Sequence, residues 1–300
     1  MGNEAIALGA ARAGVSVVSG YPGTPSTEII ETLIREKIPG IEVQWSTNEK
    51  TALEVAAGAA YSGIRSMVTM KQVGLNVAAD PLMSLSYVGV EGGMVVVVAD
   101  DPGPWSSQTE QDTRHFAKYA NLPVFDPSSP EEAYEMVSYA FGLSEEFRLP
   151  VFLRPTTRVC HASATVDLAD VPAPKPASGF VKRSDWIIFP ALSYRKHGEL
   201  EQKQKLISEK LGTLPFNRVI KGGRIGIAVS GISYLYLMEV IKEFGLDLTV
   251  FKVGTPYPIP AEPAEEFLSL VDRVMVIEEL DPVIEEQLLL LSAGKKKIRS

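Results

Sequence analysis

Along residues 1–165, short β-rich apolar runs alternate with longer stretches whose apolar positions recur at helical spacing. That alternation predicts an α/β unit, a parallel sheet covered by helices. Strands are expected at 15–19, 41–45, 66–70, 93–99, 124–126 and 150–154, with helices at 4–13, 26–36, 48–62, 74–87, 109–120 and 130–146. Met94-Val95-Val96-Val97-Val98-Ala99 is apolar without a break, as a strand buried on both faces requires.

The pattern breaks over 166–222, where Val171-Pro172-Ala173-Pro174-Lys175-Pro176 is expected to run extended. This region reads as a linker holding one amphipathic helix at 199–211, with Gly198 at its start. Alternation resumes over 223–300, with strands expected at 225–229, 248–253 and 273–277 and helices at 234–244, 261–271 and 283–291. The chain therefore divides into two α/β units, which suits a length of 300 residues, too long for one ordinary core.

Composition removes several function classes. Hydrophobic content of 45% and charged content of 22% are those of a soluble globular protein. A net charge of -8 argues against a nucleic-acid surface, which needs clustered Lys and Arg. The basic run Lys295-Lys296-Lys297-Ile298-Arg299 is expected as a solvated tail. No uncharged apolar run reaches the ~18 residues of a membrane span. Met1-Gly2-Asn3-Glu4 lacks the basic start of a signal peptide, so a cytoplasmic location is expected. Cys160 is the sole cysteine, which excludes an internal disulfide or a cysteine-ligated iron-sulfur cluster within this chain and reads as an inert buried thiol.

Two segments carry candidate chemistry. Gly20-Tyr21-Pro22-Gly23-Thr24-Pro25-Ser26-Thr27-Glu28 leaves a strand and opens a helix, with Pro25 suited to the first turn and Thr24 to its N-cap. Free backbone donors there can hold a carboxylate or phosphate, although a plain strand-to-helix turn has the same local chemistry. Asn48-Glu49-Lys50-Thr51-Ala52 opens an Ala-rich helix, with Glu49 in the first turn where the dipole favours an acid. Ala52, Ala56, Ala59 and Ala60 around Gly58 form a small-residue face that lets another backbone approach. Taken alone, Glu49 is a dipole-stabilising surface acid. Glu54, five residues on, is off its face and reads as packing or interface support. His115, His161 and His197 show no metal spacing, so no metal site is expected.

An acid followed nine residues later by Gly in an Ala-rich helix resembles the pyrimidine-binding domain of thiamine-diphosphate enzymes. Together with Tyr21-Pro22-Gly23-Thr24-Pro25-Ser26, the chain resembles the 2-oxoacid:ferredoxin oxidoreductase family, in the glycine-containing form of its indolepyruvate branch. The tracts Lys71-Gln72-Val73-Gly74-Leu75-Asn76, Asp100-Asp101-Pro102-Gly103, Ser106-Ser107-Gln108-Thr109-Glu110-Gln111-Asp112-Thr113-Arg114, Ser230-Gly231-Ile232-Ser233-Tyr234 and Glu278-Glu279-Leu280-Asp281-Pro282 extend the resemblance over nearly the whole chain.

The resemblance implies a parallel-sheet pyrimidine-binding domain over 1–165 and a smaller transketolase C-terminal-like α/β domain over 223–300. It implies that Glu49 meets N1′ of the thiamine aminopyrimidine and favours the imino tautomer that removes the thiazolium C2 proton. Thr24 would contact the 2-oxo group or carboxylate of the substrate, and Arg114 would grip that carboxylate. Arg114 has a local alternative in a surface salt bridge with Glu110. Gly23, Lys71, Gln72 and Asn76 would line the cofactor, the last three because ligands sit beyond strand ends in open α/β sheets. Glu278 and Glu279 are open to capping or to pairing at an interface, with a solvated acidic turn as the plainer local reading.

The implied reaction is CoA-dependent oxidative decarboxylation of an aryl-2-oxoacid with electrons passed to ferredoxin. The Gly-Asp-Gly…Asn motif that would hold Mg²⁺ and the diphosphate is absent from the sequence, as are cluster cysteines. A pyrophosphate-binding domain or subunit, a β subunit, the iron-sulfur clusters and a homo- or hetero-oligomeric assembly are therefore expected beyond this chain, which reads as truncated or as one piece of a split enzyme. Non-oxidative thiamine-dependent decarboxylation or ligation, and a non-catalytic assembly role, remain open alternatives.

Overall fold

The described residues of the computed structural model are 1–173, 175–293 and 297–299. They begin with α1 (Gly2–Arg12), β1 (Val17–Gly20), α2 (Thr27–Glu36), β2 (Glu42–Trp45), α3 (Glu49–Tyr61), β3 (Ser66–Lys71) and α4 (Gln72–Val88). Then follow β4 (Met94–Ala99), α5 (Thr113–Ala120), β5 (Val124–Phe125), α6 (Pro130–Phe147), β6 (Val151–Leu153) and α7 (Thr157–His161). The six strands form one sheet in the order β2-β1-β3-β4-β6-β5, with every pairing parallel. Every residue of β4 is buried, as its unbroken apolar run requires. The order reverses direction between β1 and β3, which makes that gap the topological switch point.

α3 lies close on the sheet because Ala52, Ala56 and Ala60 are buried without bulk. Their short side chains let two buried strand hydroxyls reach helix carbonyls: Ser19 donates to Ala52 O at 2.6 Å and Ser66 to Ala56 O at 2.7 Å. Gly58 is on the opposite, open side, with nothing within 4 Å of an added Cβ, so it takes no part in this approach. Glu54 is exposed on that side as well.

The stretch expected as a linker is more structured than its sequence suggests. α8 (Pro190–Gly212) begins at Pro190 and runs straight through Gly198. Leu200, Ile207 and Leu211 point from it into the core of the first sheet, joined by Leu214 and Phe216. The pieces of 171–176 on either side of Pro174, which lies outside the described residues, have no regular structure.

The second sheet contains β7 (Asn217–Ile220), β8 (Ile225–Val229), β9 (Thr249–Val253), β10 (Arg273–Ile277) and β11 (Lys297–Arg299), with α9 (Ser233–Phe244), α10 (Ala261–Leu270) and α11 (Val283–Leu291) between them. Its order is β11-β10-β8-β9-β7, parallel except for the β7–β9 pair. β7 draws the edge of this unit back to Asn217. The expectation of a solvated basic tail is corrected in part, because β11 pairs with β10 and buries Ile298, while Lys295 and Lys296 lie outside the described residues. No helix among the described residues is long and apolar enough to cross a membrane.

The two sheets meet along the outer edge of β5. Val124 N–H donates to Tyr257 O and Asp126 N–H to Gly254 O, each at 2.8 Å. The buried Lys252 pairs with Glu132 of α6 across the same seam.

Candidate functional site

At the switch point, the loop after β1 comes from a glycine that has no alternative. A Cβ on Gly20 would sit 2.5 Å from Thr69 Oγ1 and 2.7 Å from Thr69 O, so only Gly lets β1 lie against β3 here. The chain then turns through Gly23–Ser26, with Ser26 N–H donating to Gly23 O at 2.9 Å around a cis Thr24–Pro25 peptide. Gly23 N–H donates to Thr27 Oγ1 at 2.9 Å, and Asn3 Nδ2 holds Pro25 O from α1 at 2.6 Å. The helix therefore starts at Thr27 with Ser26 as its N-cap, not at Pro25 with Thr24 as cap. Thr24 is left exposed at the turn, with no protein partner for its hydroxyl among the described residues.

Beside this turn, Asn48 caps α3 by accepting from Thr51 N–H at 2.9 Å, which sets Glu49 as the first helical residue. Glu49 is only 7% exposed. Among the described residues nothing donates a hydrogen bond to its carboxylate. Its side chain lies against the first turn of α4, where a Cβ on Gly74 would fall 2.5 Å from Oε1 and 2.8 Å from Cδ. Gly74 is thus what makes room for the acid. The carboxylate is left with no protein donor among the described residues, and an incoming donor would complete its hydrogen bonding.

α4 starts directly at the end of β3 and brings Lys71, Gln72 and Asn76 to the same edge. Each of them holds the loop 101–112. Lys71 Nζ is 3.3 Å from Gln108 Oε1, and Asn76 Nδ2 donates to Gln111 Oε1 at 3.1 Å. The fully buried Gln72 donates to Thr109 O and accepts from Asp101 N–H at 3.4 Å and Gln111 N–H at 3.3 Å, so it ties both feet of the loop. Asp101, to which the sequence assigned no role, grips the loop's other side. Its Oδ2 accepts from the N–H groups of Trp105, Ser106 and Ser107, each at 3.0 Å, and Thr157 Oγ1 donates to Oδ1 at 2.6 Å. Burial would raise this carboxyl, but the Thr157 hydroxyl and the backbone donors hold it at about 2. A strand-end acid followed by Pro102-Gly103 was the available sign of such a loop anchor.

Arg114 does not face an open ligand position. Its side chain is 0% exposed and its donors are committed to protein: Nε to Asp112, Nη1 to Glu278 at 2.7 Å, and Nη2 to Asp112 and to the carbonyls of Glu279 and Asp281 at 2.8 and 2.9 Å. Arg114 thus has protein partners where the resemblance implies a substrate carboxylate, and the surface pair with Glu110 does not form, because that carboxylate accepts from Gly103 N–H instead. Arg114 clasps the two sheets together, with Glu278 buried beneath α11 rather than solvated. Next to it, Arg154 is buried between Asp100 at 2.7 Å and Asp126 at 3.4 Å. Burial would lower the Arg154 pKa, but the surrounding aspartates raise it overall. Burial pushes Asp126 up to about 6 against the pull of Arg154 and Arg114.

The remaining sequence candidates carry little. Asp112, His115 and Asp281 bring potential ligand atoms within 4.8 Å of one another, but Asp112 is already bonded to Arg114, and an ion there would compete with a guanidinium. Cys160 is buried and its thiol is pushed up by burial, which keeps it unreactive.

Comparison with known proteins places this geometry. The sequence profile of the family described as "Pyruvate flavodoxin/ferredoxin oxidoreductase, thiamine diP-bdg" matches residues 8–182. The chain is 45% identical over 297 residues to "Indolepyruvate oxidoreductase subunit IorA" of Thermococcus kodakarensis, covering 96% of this chain and 46% of that protein. It thus spans about half the length of the curated relatives it matches. Among solved structures, "2-oxoglutarate:ferredoxin oxidoreductase from Magnetococcus marinus with 2-oxoglutarate, coenzyme A and succinyl-CoA bound" superposes with TM-score 0.76 at 18% identity, over 100% of this chain and 61% of that one. "Split gene transketolase, inactive beta4 tetramer" superposes with TM-score 0.62 at 16% identity, over 99% of this chain and 85% of that one. At those identities the two structures speak for the fold alone.

Proposed function

Because the chain belongs to the thiamine-diphosphate-binding family of pyruvate flavodoxin/ferredoxin oxidoreductases, we propose that it is the cofactor-activating part of an indolepyruvate-type 2-oxoacid:ferredoxin oxidoreductase. The observation that carries this reading is the Glu49 carboxylate, 7% exposed and without a protein donor, at the switch point of a parallel sheet. An aminopyrimidine ring nitrogen supplies the missing partner, and the bare backbone of Gly74 gives the acid the room to meet it. Thiamine diphosphate, when bound, supplies the carbon nucleophile that attacks a 2-oxoacid.

Glu49 holds or releases a proton at that ring nitrogen. Thr24 offers a free hydroxyl to the 2-oxo group from the turn containing Gly23. Gln72 and Asn76 act on the cofactor edge indirectly, by fixing the loop 101–112. Arg114 is a positioning residue that sets one sheet against the other. The net conversion is a 2-oxoacid and CoA to an acyl-CoA and CO₂, with an electron pair passed to ferredoxin and a proton released. In this reading Mg²⁺ and the diphosphate site belong to a pyrophosphate-binding domain or subunit and the iron-sulfur clusters to a ferredoxin-like domain or partner subunit, within a cytoplasmic oligomer that includes a β subunit. Residues 1–165 take the pyrimidine-binding part, 166–222 the connecting part and 223–300 the transketolase C-terminal-like part.

The test is made on the full-length protein with its partner subunit, by following arylpyruvate- and CoA-dependent acceptor reduction. Glu49→Gln is expected to lower the rate ~100-fold or more. A variant that turns over at the wild-type rate would remove Glu49 from the chemistry. Product formed equally without CoA or an electron acceptor would instead favour non-oxidative decarboxylation.

A further inference from the structure

With Arg114 sealed between two carboxylates and a pair of carbonyls, a 2-oxoacid site built as above needs another cation for its carboxylate. We propose that Lys71 is that cation, an inference that rests on the 2-oxoacid reading of the same site. Lys50, the neighbouring candidate, is paired with Asp80 at 3.1 Å. Lys71 has no carboxylate within ion-pair distance among the described residues. Its sole polar partner there is the neutral amide oxygen of Gln108, at 3.3 Å.

Its location defies local preference. Lys71 is the N-cap of α4 and gives that helix no side-chain cap. An ammonium at the positive end of a helix is disfavoured by the backbone dipole, and N-cap positions favour Ser, Thr, Asp or Asn. A residue that breaks both preferences without a compensating carboxylate is where function is expected to show. An anion at this point would satisfy the ammonium and the helix terminus together.

The stem is also aimed. A Cβ on Gly23 would lie 2.9 Å from Lys71 Cδ and 3.0 Å from Cγ, so the lysine runs along the bare backbone of the turn that carries Thr24. One helical turn further on, Gly74 backs Glu49. Lys71 thus bridges the turn bearing the free hydroxyl and the helix facing the buried acid. An ammonium placed there holds the substrate carboxylate while Thr24 meets the adjacent 2-oxo group.

The experiment uses the full-length enzyme with its partner subunit and compares wild type, Lys71→Met, Lys71→Arg and Gln108→Ala. Acceptor reduction gives KM and kcat for the arylpyruvate, and calorimetry gives the affinity for an unreactive aryl-2-hydroxyacid and for its neutral amide. Lys71→Met should raise KM about 10- to 100-fold, with a smaller change in kcat, as loss of a charged hydrogen bond does. It should also abolish the preference for acid over amide. Lys71→Arg should keep that preference, and Gln108→Ala, which removes the lysine's protein contact but not its charge, should leave KM within about threefold. Wild-type KM and preference in Lys71→Met would overturn the proposal. So would a Gln108→Ala enzyme as impaired as Lys71→Met, since the lysine would then act only through the loop. If Lys71→Met fails to fold, Lys71→Gln and the calorimetric preference decide in its place. A wild-type enzyme inert to 2-oxoacids would instead overturn the underlying reading.

Discussion

At the scale of single residues, the decisive group is an acid whose surroundings leave it unfinished. Glu49 could be picked out in the sequence from its place at the start of an Ala-rich helix and from the family's motifs. Its burial and its gap could not, because both depend on Gly74, 25 positions away on another helix. Gly74→Ala tests that dependence. Alanine is the better helix former by about 1 kcal/mol, but the crowding against Glu49 costs about 1–3 kcal/mol, so stability should change by no more than about 2 kcal/mol. The added methyl group meets Glu49 Oε1, and thiamine-dependent activity should fall at least about tenfold. A Gly74→Ala enzyme with full activity would show that the acid has room elsewhere. Arg114 shows the opposite case. Its partners Glu278 and Asp281 are more than 160 residues distant in sequence. No local pattern announces such a pairing, so a buried clasp reads as a substrate-facing guanidinium.

Among the elements, helix and strand positions followed from periodicity wherever the apolar pattern was strong, as in β4, β10 and α11. The misses have physical causes. α8 extends back to Pro190 because Gly198, costly in a helix, is outweighed by the contacts of Leu192 and Leu200. β7 and β11 are short edge strands recruited by pairing rather than by composition. The loop 101–112 is an element in its own right, held by Asp101 and Gln72. Since the Asp101 carboxyl is depressed to about 2, the stability it gives is present above the ordinary aspartate range and lost as pH falls toward 2. At neutral pH, Asp101→Ala should therefore release the loop. Amide exchange at Trp105, Ser106 and Ser107 should rise by at least about tenfold while β4 stays protected. Unchanged exchange there would mean that Gln72 alone suffices.

For the whole molecule, two α/β units were legible from the alternation of their elements, but the seam between them was not. Arg114 and Arg154 fill that seam with buried charge, which is harmful if broken. Arg114→Met strands Asp112 and Glu278, and chemical denaturation should show a loss of about 3–5 kcal/mol. A loss below about 1 kcal/mol would mean that the clasp is dispensable. The neighbouring Asp126 predicts a pH signature. Its folded pKa of about 6 lies above the unfolded value of 3.8, so its contribution is full below pH ~4 and lost as pH rises through ~6. The span corresponds to about 3 kcal/mol for this buried group. Asp126→Asn should flatten the fall in denaturation midpoint across that window, and an unchanged pH profile would place the titration on another group.

The most direct measurement is the rate at which the thiazolium C2 proton of bound thiamine diphosphate exchanges with deuterium, followed by NMR in the full-length assembly. If Glu49 shares a proton with the aminopyrimidine ring, exchange in Glu49→Gln should slow ~100-fold or more relative to wild type, with the cofactor still bound. Equal exchange rates in the two loaded proteins would contradict that role for Glu49.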